Sequence, residues 1–256
     1  MLLFLCSLPL WLGAFFTVLL PTMVAMTGPA LIRKRYPLSV LVKNNEIAGF
    51  KFAAVGAIYG VILAFAIVTV WEKFSEAELF VLQEAGSSAT LHRLAAGENA
   101  DAIASRAALE AYLRAVVEEE WPSMAEGKES REAAKALDGL FAAAMHLGDD
   151  KPAAVGVEIM KELGDITQAR RGRLHLARGV VPPALWTMLL FGALLTIGFT
   201  YFFGQENLRS QVTMTGAFAS IVFLGLFVIV LYDHPFSGEV SVEPHPLAAV
   251  RENFHH

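Results

Sequence analysis

Four long apolar runs constrain the fold of this 256-residue chain more than any other feature. They cover about residues 2–26, 50–71, 182–203 and 211–232, and none contains an acidic side chain. Each is long enough to cross a bilayer as a helix, which takes about 20 predominantly apolar residues. The sequence therefore predicts an integral membrane protein with four transmembrane helices.

The first run lies at the N-terminus, where the apolar core of a signal peptide would lie, but it differs from such a core in its flanking residues and its length. No basic residue precedes it, and it exceeds the ~7–15 residues of such a core. We therefore predict that it is a true membrane span. The single cysteine of the chain, Cys6, lies in this run, so an intrachain disulfide is not expected.

The block between the second and third runs is polar and rich in alanine. Its apolar residues recur at helical spacing, as at Leu109, Leu113 and Val116, and no strand-like alternation of any length occurs. The predicted fold class is an all-α membrane protein with four transmembrane helices and a large helical extramembrane insertion between the second and third. The predicted regions are transmembrane helices 1 and 2 with a basic connecting loop (1–73), a helical extramembrane domain (74–181), transmembrane helices 3 and 4 (182–232) and a C-terminal tail (233–256).

Local signals predict where some helices begin and end. Ser75 and Glu78 form the S-x-x-E pattern of a capping box, which would start a new helix after the second span. Pro122 is expected to end the helix that precedes it. Pro29 and Pro37 are expected to make the loop between the first two spans irregular.

Two charge clusters each allow two interpretations. The glutamates at 118–120 form either a solvated helix edge, which is favoured, or a group that gathers cations at a pore mouth. The four arginines at 170–178 form either a juxtamembrane anchor, which is favoured, or an attraction site for anions and lipid headgroups. Basic residues flank the spans on both sides, so the side of the membrane that holds 74–181 is not predicted.

The sequence contains no motif for a phosphate-binding loop, a dinucleotide site, a zinc protease or a serine nucleophile elbow. His92 and Glu84 lie two helical turns apart and are interpreted as surface or core residues rather than metal ligands. The net charge of −5 gives no support for nucleic-acid binding. We therefore expect no enzyme activity, no catalytic residue, no metal and no cofactor.

The second span has two different faces. Small residues recur along one stripe and form the small-xxx-small pattern that lets membrane helices pack closely, with Gly49, Gly56 and Gly60 as the packing glycines. About a third of a turn away lies a bulkier stripe that begins with Phe52, Val55 and Tyr59. On spacing alone, this second stripe faces lipid or a neighbouring helix, and the alternative is that it lines a narrow pore.

Three segments, NNEIAGFKFAAVGAIYGVILAF, YLRAVVEEEWPSM and LYDHPFSGEVSVEP, together with the two late spans, resemble the bacterial bestrophin-like membrane proteins over nearly the whole chain. Bestrophins are pentameric anion channels with four spans per subunit, and their second span lines a neck with bulky apolar side chains. The resemblance implies an oligomeric ion channel that is anion-selective, with neck residues Phe52, Val55 and Tyr59. Glycines replace much of the bulk expected in such a neck, and no acidic calcium-binding cluster is present.

The resemblance also implies a pore entrance at the start of the second span. Asn44 and Asn45 lie at this helix N-terminus, where partial positive charge attracts anions. Lys51 either snorkels to the lipid headgroups, which is favoured, or forms a ring with its copies at the entrance. Expected partners are the lipid bilayer, inorganic ions and further copies of the chain, as a pentamer by analogy, in a bacterial plasma (inner) membrane.

Two other functions stay open at the sequence level. A cation channel is favoured mildly by the acidic insertion. A non-conducting membrane scaffold or signalling adaptor would act through its helical domain and would pack too tightly at the glycines of the second span to leave a path.

A short motif follows the fourth span directly. It consists of Asp233, His234, Pro235, Phe236, Ser237, Gly238 and Glu239. The proline stops the helix and the glycine permits a turn. The alternative interpretation is an interfacial plug, or a docking element that ties the tail to a neighbouring subunit.

Overall fold

The computed structural model describes residues 8–43, 45–149 and 151–255, and within them every regular element is helical. Asn44 and Cys6 therefore lie outside the described residues. The α-helices in these ranges are α1 (Leu10–Ala14), α2 (Leu20–Arg35), α3 (Leu38–Lys43), α4 (Asn45–Leu94), α5 (Ala100–Ala115), α6 (Trp121–Ala125), α7 (Arg131–Asp149), α8 (Ala153–Leu176), α9 (Pro183–Thr200), α10 (Leu208–Tyr232) and α11 (His245–Glu252). The predicted all-α class is confirmed.

Four helical segments are long and apolar enough to cross a membrane. They are Leu10–Arg35, Asn45–Leu94, Pro183–Thr200 and Leu208–Asp233. This confirms the four candidate spans, and the described part of the first span extends nine residues beyond its predicted end at residue 26, to Arg35.

The connection between the first two spans is more helical than expected. Helix α2 continues through Pro29 to Arg35, α3 covers Leu38–Lys43, and the described part of α4 begins at Asn45. At Tyr36 the backbone is extended (φ −122°, ψ 129°), because the ring of Pro37 disfavours helical geometry in the preceding residue. The prediction of an irregular loop is therefore wrong except at this point.

Two π-helical turns lie where a proline enters a helix. Phe15–Leu19 precedes Pro21, and Val116–Glu120 precedes Pro122. A proline inside an α-helix lacks its N–H donor and its ring collides with the carbonyl four residues earlier, whereas a π-turn moves the local carbonyls apart. The helix therefore continues into α6, and the prediction that Pro122 ends it is wrong.

Helix α4 runs for 50 residues, from Asn45 to Leu94. Ser75 and Glu78 lie inside it, so the predicted helix start at the capping box is wrong. A capping box is useful only where backbone N–H groups lack partners. Here the turn on either side is already helical, and the buried stripe continues through Ala77 and Val81.

The contacts divide the chain into two compact units. The span unit comprises residues 1–72 and 181–233, and the bundle unit comprises 73–180 and 234–256. In the bundle unit, α5 packs against α7 and α7 packs against α8. Their shared core consists of buried apolar side chains that include Leu109, Tyr112, Leu113, Leu140, Leu147, Ile159, Leu163 and Ile166.

Candidate functional site

Helix α4 has one buried and one widely exposed face within the span unit. Tyr59, Ala66 and Val70 are almost fully buried. The opposite side carries bulky apolar residues that are all more than half exposed, here called the α4 strip: Ile58, Val61, Phe65 and Val68. Only 17% of the most apolar window of this helix is buried, the smallest share among the four candidate spans. Lipid or another protein chain must cover the remainder.

Phe52, a predicted neck residue, packs inside the span unit. Its ring centroid lies 5.9 Å from that of Phe199 and 5.5 Å from those of Phe203 and Phe218. Edge-on and tilted pairs at these distances are favourable aromatic arrangements. In the single chain, this residue therefore holds α4 against the helices of the third and fourth spans.

Tyr59, a second predicted neck residue, is 5% exposed. Its hydroxyl donates a hydrogen bond to the Leu189 carbonyl at 3.1 Å. Its ring fits against Gly192, where a Cβ would lie 2.5 Å from the ring. Val55 is the one predicted neck residue classed as exposed, at 37%. Spacing identified this stripe, but it could not show that the stripe packs on α9 and α10 of the same chain.

Asn45, predicted at a pore entrance, forms a two-way clasp with Gly204. Its Nδ2 donates to the Gly204 carbonyl at 2.7 Å, and its Oδ1 accepts the Gly204 N–H at 2.9 Å. A Cβ at Gly204 would lie 2.5 Å from the Val42 nitrogen, so only glycine permits this close approach. The clasp holds the start of α4 to the turn after α9, while Lys51 on the next turns is exposed.

The predicted packing glycines of α4 lie largely open in the single chain. A Cβ at Gly56 or Gly60 would meet no atom within 4 Å, and one at Gly49 would lie 3.9 Å from Phe203. Close packing between helices of the chain occurs instead at Gly192, and at Gly225, where a Cβ would lie 2.7 Å from Leu63. Neither of these glycines stands in a G-x-x-x-G pair, so no sequence motif flags them.

Asp233 of the tail motif links the ends of two spans. It is 2% exposed. Its Oδ1 accepts the Val181 N–H at 2.7 Å, and its Oδ2 accepts the Trp186 indole N–H at 3.4 Å. Pro182 follows Val181, and α9 begins at Pro183; neither proline has an N–H group to cap. A carboxylate is also favourable at the positive N-terminal end of a helix.

The rest of the motif folds onto the bundle unit. Phe236 is 3% exposed and packs edge-on against Trp121, with ring centroids 5.6 Å apart. The Ser237 hydroxyl donates to the Ala125 carbonyl at 2.8 Å. The carbonyl of Pro235 accepts the Val242 N–H at 2.8 Å.

Two glycines in the left-handed region shape the motif: Gly238, which belongs to it, and Gly179, which His234 contacts. Gly238 turns the chain with φ +85°. His234 is 6% exposed and packs against Gly179, whose φ is +98°. All of these tail contacts lie within the chain, and a role between copies stays a prediction.

The bundle unit contains a buried ionic network. Glu84, Glu120 and Arg173 have fully buried side chains. The Arg173 guanidinium donates to Glu84 at 2.7 and 3.0 Å and to Glu120 at 3.2 Å. Arg170 donates to both Glu120 oxygens, with a shortest distance of 2.6 Å. The two carboxylates and two guanidiniums therefore alternate, which offsets the large cost of taking charges out of water.

Neighbouring side chains complete this network. The Tyr112 hydroxyl donates to Glu84 Oε1 at 2.6 Å, and the Trp121 ring lies 5.0 Å from the Arg173 guanidinium carbon. Burial and the Glu84 charge raise the pKa of Tyr112 well above its usual range. Burial lowers the pKa of Arg173, but the adjacent Glu84 and Glu120 charges outweigh it and raise that pKa above its usual value. The tyrosine therefore stays neutral and the arginine charged at physiological pH.

This network corrects two sequence interpretations, each for part of its cluster. Glu120 is not part of a solvated helix edge, and Arg170 and Arg173 are not surface anchors. Arg170 is 50 residues from Glu120, and Arg173 is 89 residues from Glu84. Local sequence patterns therefore could not reveal these pairs. A π-turn at Val116–Glu120 ends at Glu120, one of the members of the network.

His92 and Glu84 have separate partners in the bundle unit. Glu84 belongs to the ionic network, and the His92 ring stacks on Phe254 with centroids 3.9 Å apart. Within the described ranges, no group of three or more metal-ligating side chains is close enough to hold an ion.

Comparison with known proteins agrees with this architecture. A family model described as the Bestrophin-like domain matches residues 9–247. Two crystal structures of a bacterial bestrophin homologue from Klebsiella pneumoniae, each with one substitution, are similar in fold. An aspartate-to-alanine variant has a TM-score of 0.71 at 16% identity, covering 94% of this chain and 97% of that chain. An isoleucine-to-threonine variant has a TM-score of 0.69 at 15% identity, covering 94% and 99%.

None of the curated proteins matches this sequence. At identities this low, the likeness to the crystal structures supports the fold. The family model adds a match that extends from the start of the first candidate span into α11. As the sequence resemblance implied, the chain is a member of the Bestrophin-like family.

Proposed function

We propose that the protein is an oligomeric ion channel whose pore is lined by the α4 strip. The observation that carries this proposal is the exposure of that strip, which reaches 70% at Phe65, on the candidate span that the chain buries least. A bulky apolar ring built from copies of this strip would hold water poorly and act as a gate by dewetting.

The small-residue stripe of α4 supports association of copies. Gly56 and Gly60 leave space that no side chain of the described residues fills. Small residues at such positions let helices of different chains approach closely in a membrane. Successive residues of a helix lie about 100° apart, so Gly60 and Val61 face different neighbours. In the proposed oligomer the glycines contact the next copy while the α4 strip faces the axis.

The proposed neck differs from the sequence prediction in its lining. Phe52 and Tyr59 support α4 from behind through their contacts with α9 and α10, and Val55 lies at the edge of the exposed face. The assembly is a pentamer by analogy with the bestrophins, in a bacterial plasma membrane. Residues 74–181 form the helical extramembrane domain of this proposal, which the buried ionic network of the bundle unit supports.

Recording from purified protein in planar bilayers tests conduction. Phe65→Ala should raise the conductance or the open probability, because it widens the apolar ring. Phe191→Ala is the matched control, since Phe191 is an equally bulky residue of α9 that is 59% exposed. Wild-type-like currents are expected for the control. Equal changes in the two variants, or no current above an empty membrane, would contradict the proposed pore.

Selectivity is tested by the reversal potential in a potassium chloride gradient. We propose an anion preference, supported by the family resemblance and by the exposed Lys51 near the start of α4. Lys51→Gln should shift the reversal potential away from the chloride value if the side chain faces the axis. A reversal potential near the potassium value would instead identify a cation channel. A stable oligomer without current would favour the non-conducting scaffold.

A further inference from the structure

Arg33 lies in the last turn of α2 with too few acceptors for its charge. Its Nη1 donates weakly to the main-chain carbonyl of Glu206, at 3.4 Å. Its Nε and Nη2 are buried and have no hydrogen-bond partner in the part of the chain that the structure describes. By contrast, Arg170 and Arg173 donate to carboxylates in the bundle unit. Two of the three guanidinium nitrogens are therefore shielded without an acceptor, which is costly, and an anionic partner would remove this cost.

Two apolar grooves lie along helix α9. One, of about 610 Å³, lies between α9 and the residues of Tyr36 and α3. The other, of about 530 Å³, lies between α9 and the first candidate span. Leu194 and Tyr201 line both, so the grooves flank the same helix. The span unit therefore has two adjacent apolar grooves on its surface.

The grooves and the basic turn share the segment that follows α9. Tyr201 packs its ring on Gly28, which precedes Arg33 on α2 by five residues, about 7.5 Å along the helix. Tyr36, three residues after Arg33, has its ring 6.4 Å from that of Phe202. Along the axis of α2, residue 33 therefore lies between two points at which the groove-lining segment contacts α2 and its C-terminal end.

We propose that this face of the span unit binds one anionic diacyl phospholipid. The two acyl chains occupy the two grooves, and the phosphate accepts hydrogen bonds from Arg33 beside the exposed Lys34 and Arg35. A guanidinium pairs with phosphate through two parallel hydrogen bonds, which supplies the acceptors that Arg33 lacks. Basic sites between transmembrane helices are suited to anionic headgroups. Free phosphate would satisfy the arginine but would leave both grooves open.

A lipid titration in neutral detergent micelles tests the site, because such micelles have no charged surface of their own. Purified full-length protein is titrated with dioleoylphosphatidylglycerol, and bound lipid is counted by native mass spectrometry. Arg33→Gln should weaken binding by about tenfold, the effect of losing a hydrogen bond to a charged group. Arg209→Gln is the matched control, because it removes an exposed arginine from the start of α10. It should bind like the wild type.

A second variant tests the grooves without changing charge. Gly198 lines the first groove, and a Cβ there would meet no atom within 4 Å, so Gly198→Leu is expected to direct its side chain into the groove. It should also weaken binding. Excess inorganic phosphate should not displace the lipid, and dioleoylphosphatidylcholine should bind more weakly. Displacement by phosphate, equal binding of the two lipids, or equal effects of Arg33→Gln and Arg209→Gln would overturn the proposal.

Discussion

The two units of the chain differ in how much of their apolar surface they bury and in how they bury it. The bundle unit buries a continuous apolar core and, within it, the charges of Glu84, Glu120 and Arg173. The span unit buries only 17–39% of the most apolar window of each candidate span. Its polar contacts include uncharged links between elements, such as the pair of hydrogen bonds between Asn45 and Gly204.

The difference fits the proposed surroundings of the two units, lipid for the span unit and water for the bundle unit. In water, burial of apolar surface drives helices together, and a buried charge is tolerated only when it is paired. In lipid, the surroundings are as apolar as leucine, so helices associate through close fit at small residues. The ring of Tyr59 on Gly192 and the side chain of Leu63 at Gly225 are contacts of this kind. The span unit therefore depends on shape and the bundle unit on a filled core.

The largest expected effect is the loss of one buried charge in the bundle unit. Arg173→Met leaves Glu84 without its guanidinium, so we expect the free energy of unfolding to fall by about 3–5 kcal/mol. The measurement is hydrogen exchange of the α5 and α8 amides. Arg171→Met is the control, because Arg171 is exposed two residues earlier, and it should change stability by less than about 0.5 kcal/mol. Unchanged protection in Arg173→Met would show that apolar contacts alone stabilise the unit.

A smaller effect is expected from overfilling a helix contact in the span unit. Gly192→Ala puts a methyl group about 2.5 Å from the Tyr59 ring, which should cost about 2 kcal/mol. The measurement is thermal unfolding in detergent. Gly60→Ala is the control within the chain, because its Cβ meets no atom within 4 Å, and it should weaken only the association of copies. Equal destabilisation by both variants would contradict packing by shape at Gly192.

Removal of the tyrosine hydroxyl from the ionic network is expected to have a lesser effect. Tyr112→Phe should cost about 1.5 kcal/mol near neutral pH, because Glu84 loses one donor. Since burial and Glu84 raise the folded-state pKa of Tyr112, its contribution is present below about pH 10 and is lost as pH rises further. Denaturant unfolding at increasing pH checks this. The wild type should lose more stability in the alkaline range than the variant, and parallel curves would contradict it.

The smallest expected effect concerns the C-terminal helix. Burial, and then the Arg106 charge, lower the pKa of His92, whose ring stacks on Phe254. A lowered folded-state pKa means that this contribution is present above about pH 6.5 and is lost as pH falls. Hydrogen exchange of α11 should therefore speed up modestly on acidification. His92→Phe should remove this pH dependence, whereas His146→Phe, at an exposed position of α7, should retain it.

The sequence by itself determined the number of spans, the helical class and the family. These properties depend on the length and composition of local runs and on the order of short motifs, as in GFKFAAVGAIYG of the second span. Each can be recognised without knowing what contacts what. The same local spacing predicted the buried stripe of Leu109, Leu113 and Val116. The first two residues lie in α5, and Val116 begins the turn that follows it.

Only the tertiary structure decided which face of each helix is covered. It assigned Phe52 and Tyr59 to contacts within the chain, left Gly56 and Gly60 open, and paired Glu84 with Arg173 across 89 residues. It also showed that α4 continues without a break past Ser75. Residues of the helix are buried before and after this position, at Val70 and Ala77, and their burial outweighs the capping signal. The physical reason is common to all these cases: periodicity defines the stripes of a helix, but the partner that each stripe meets is a non-local property of the fold.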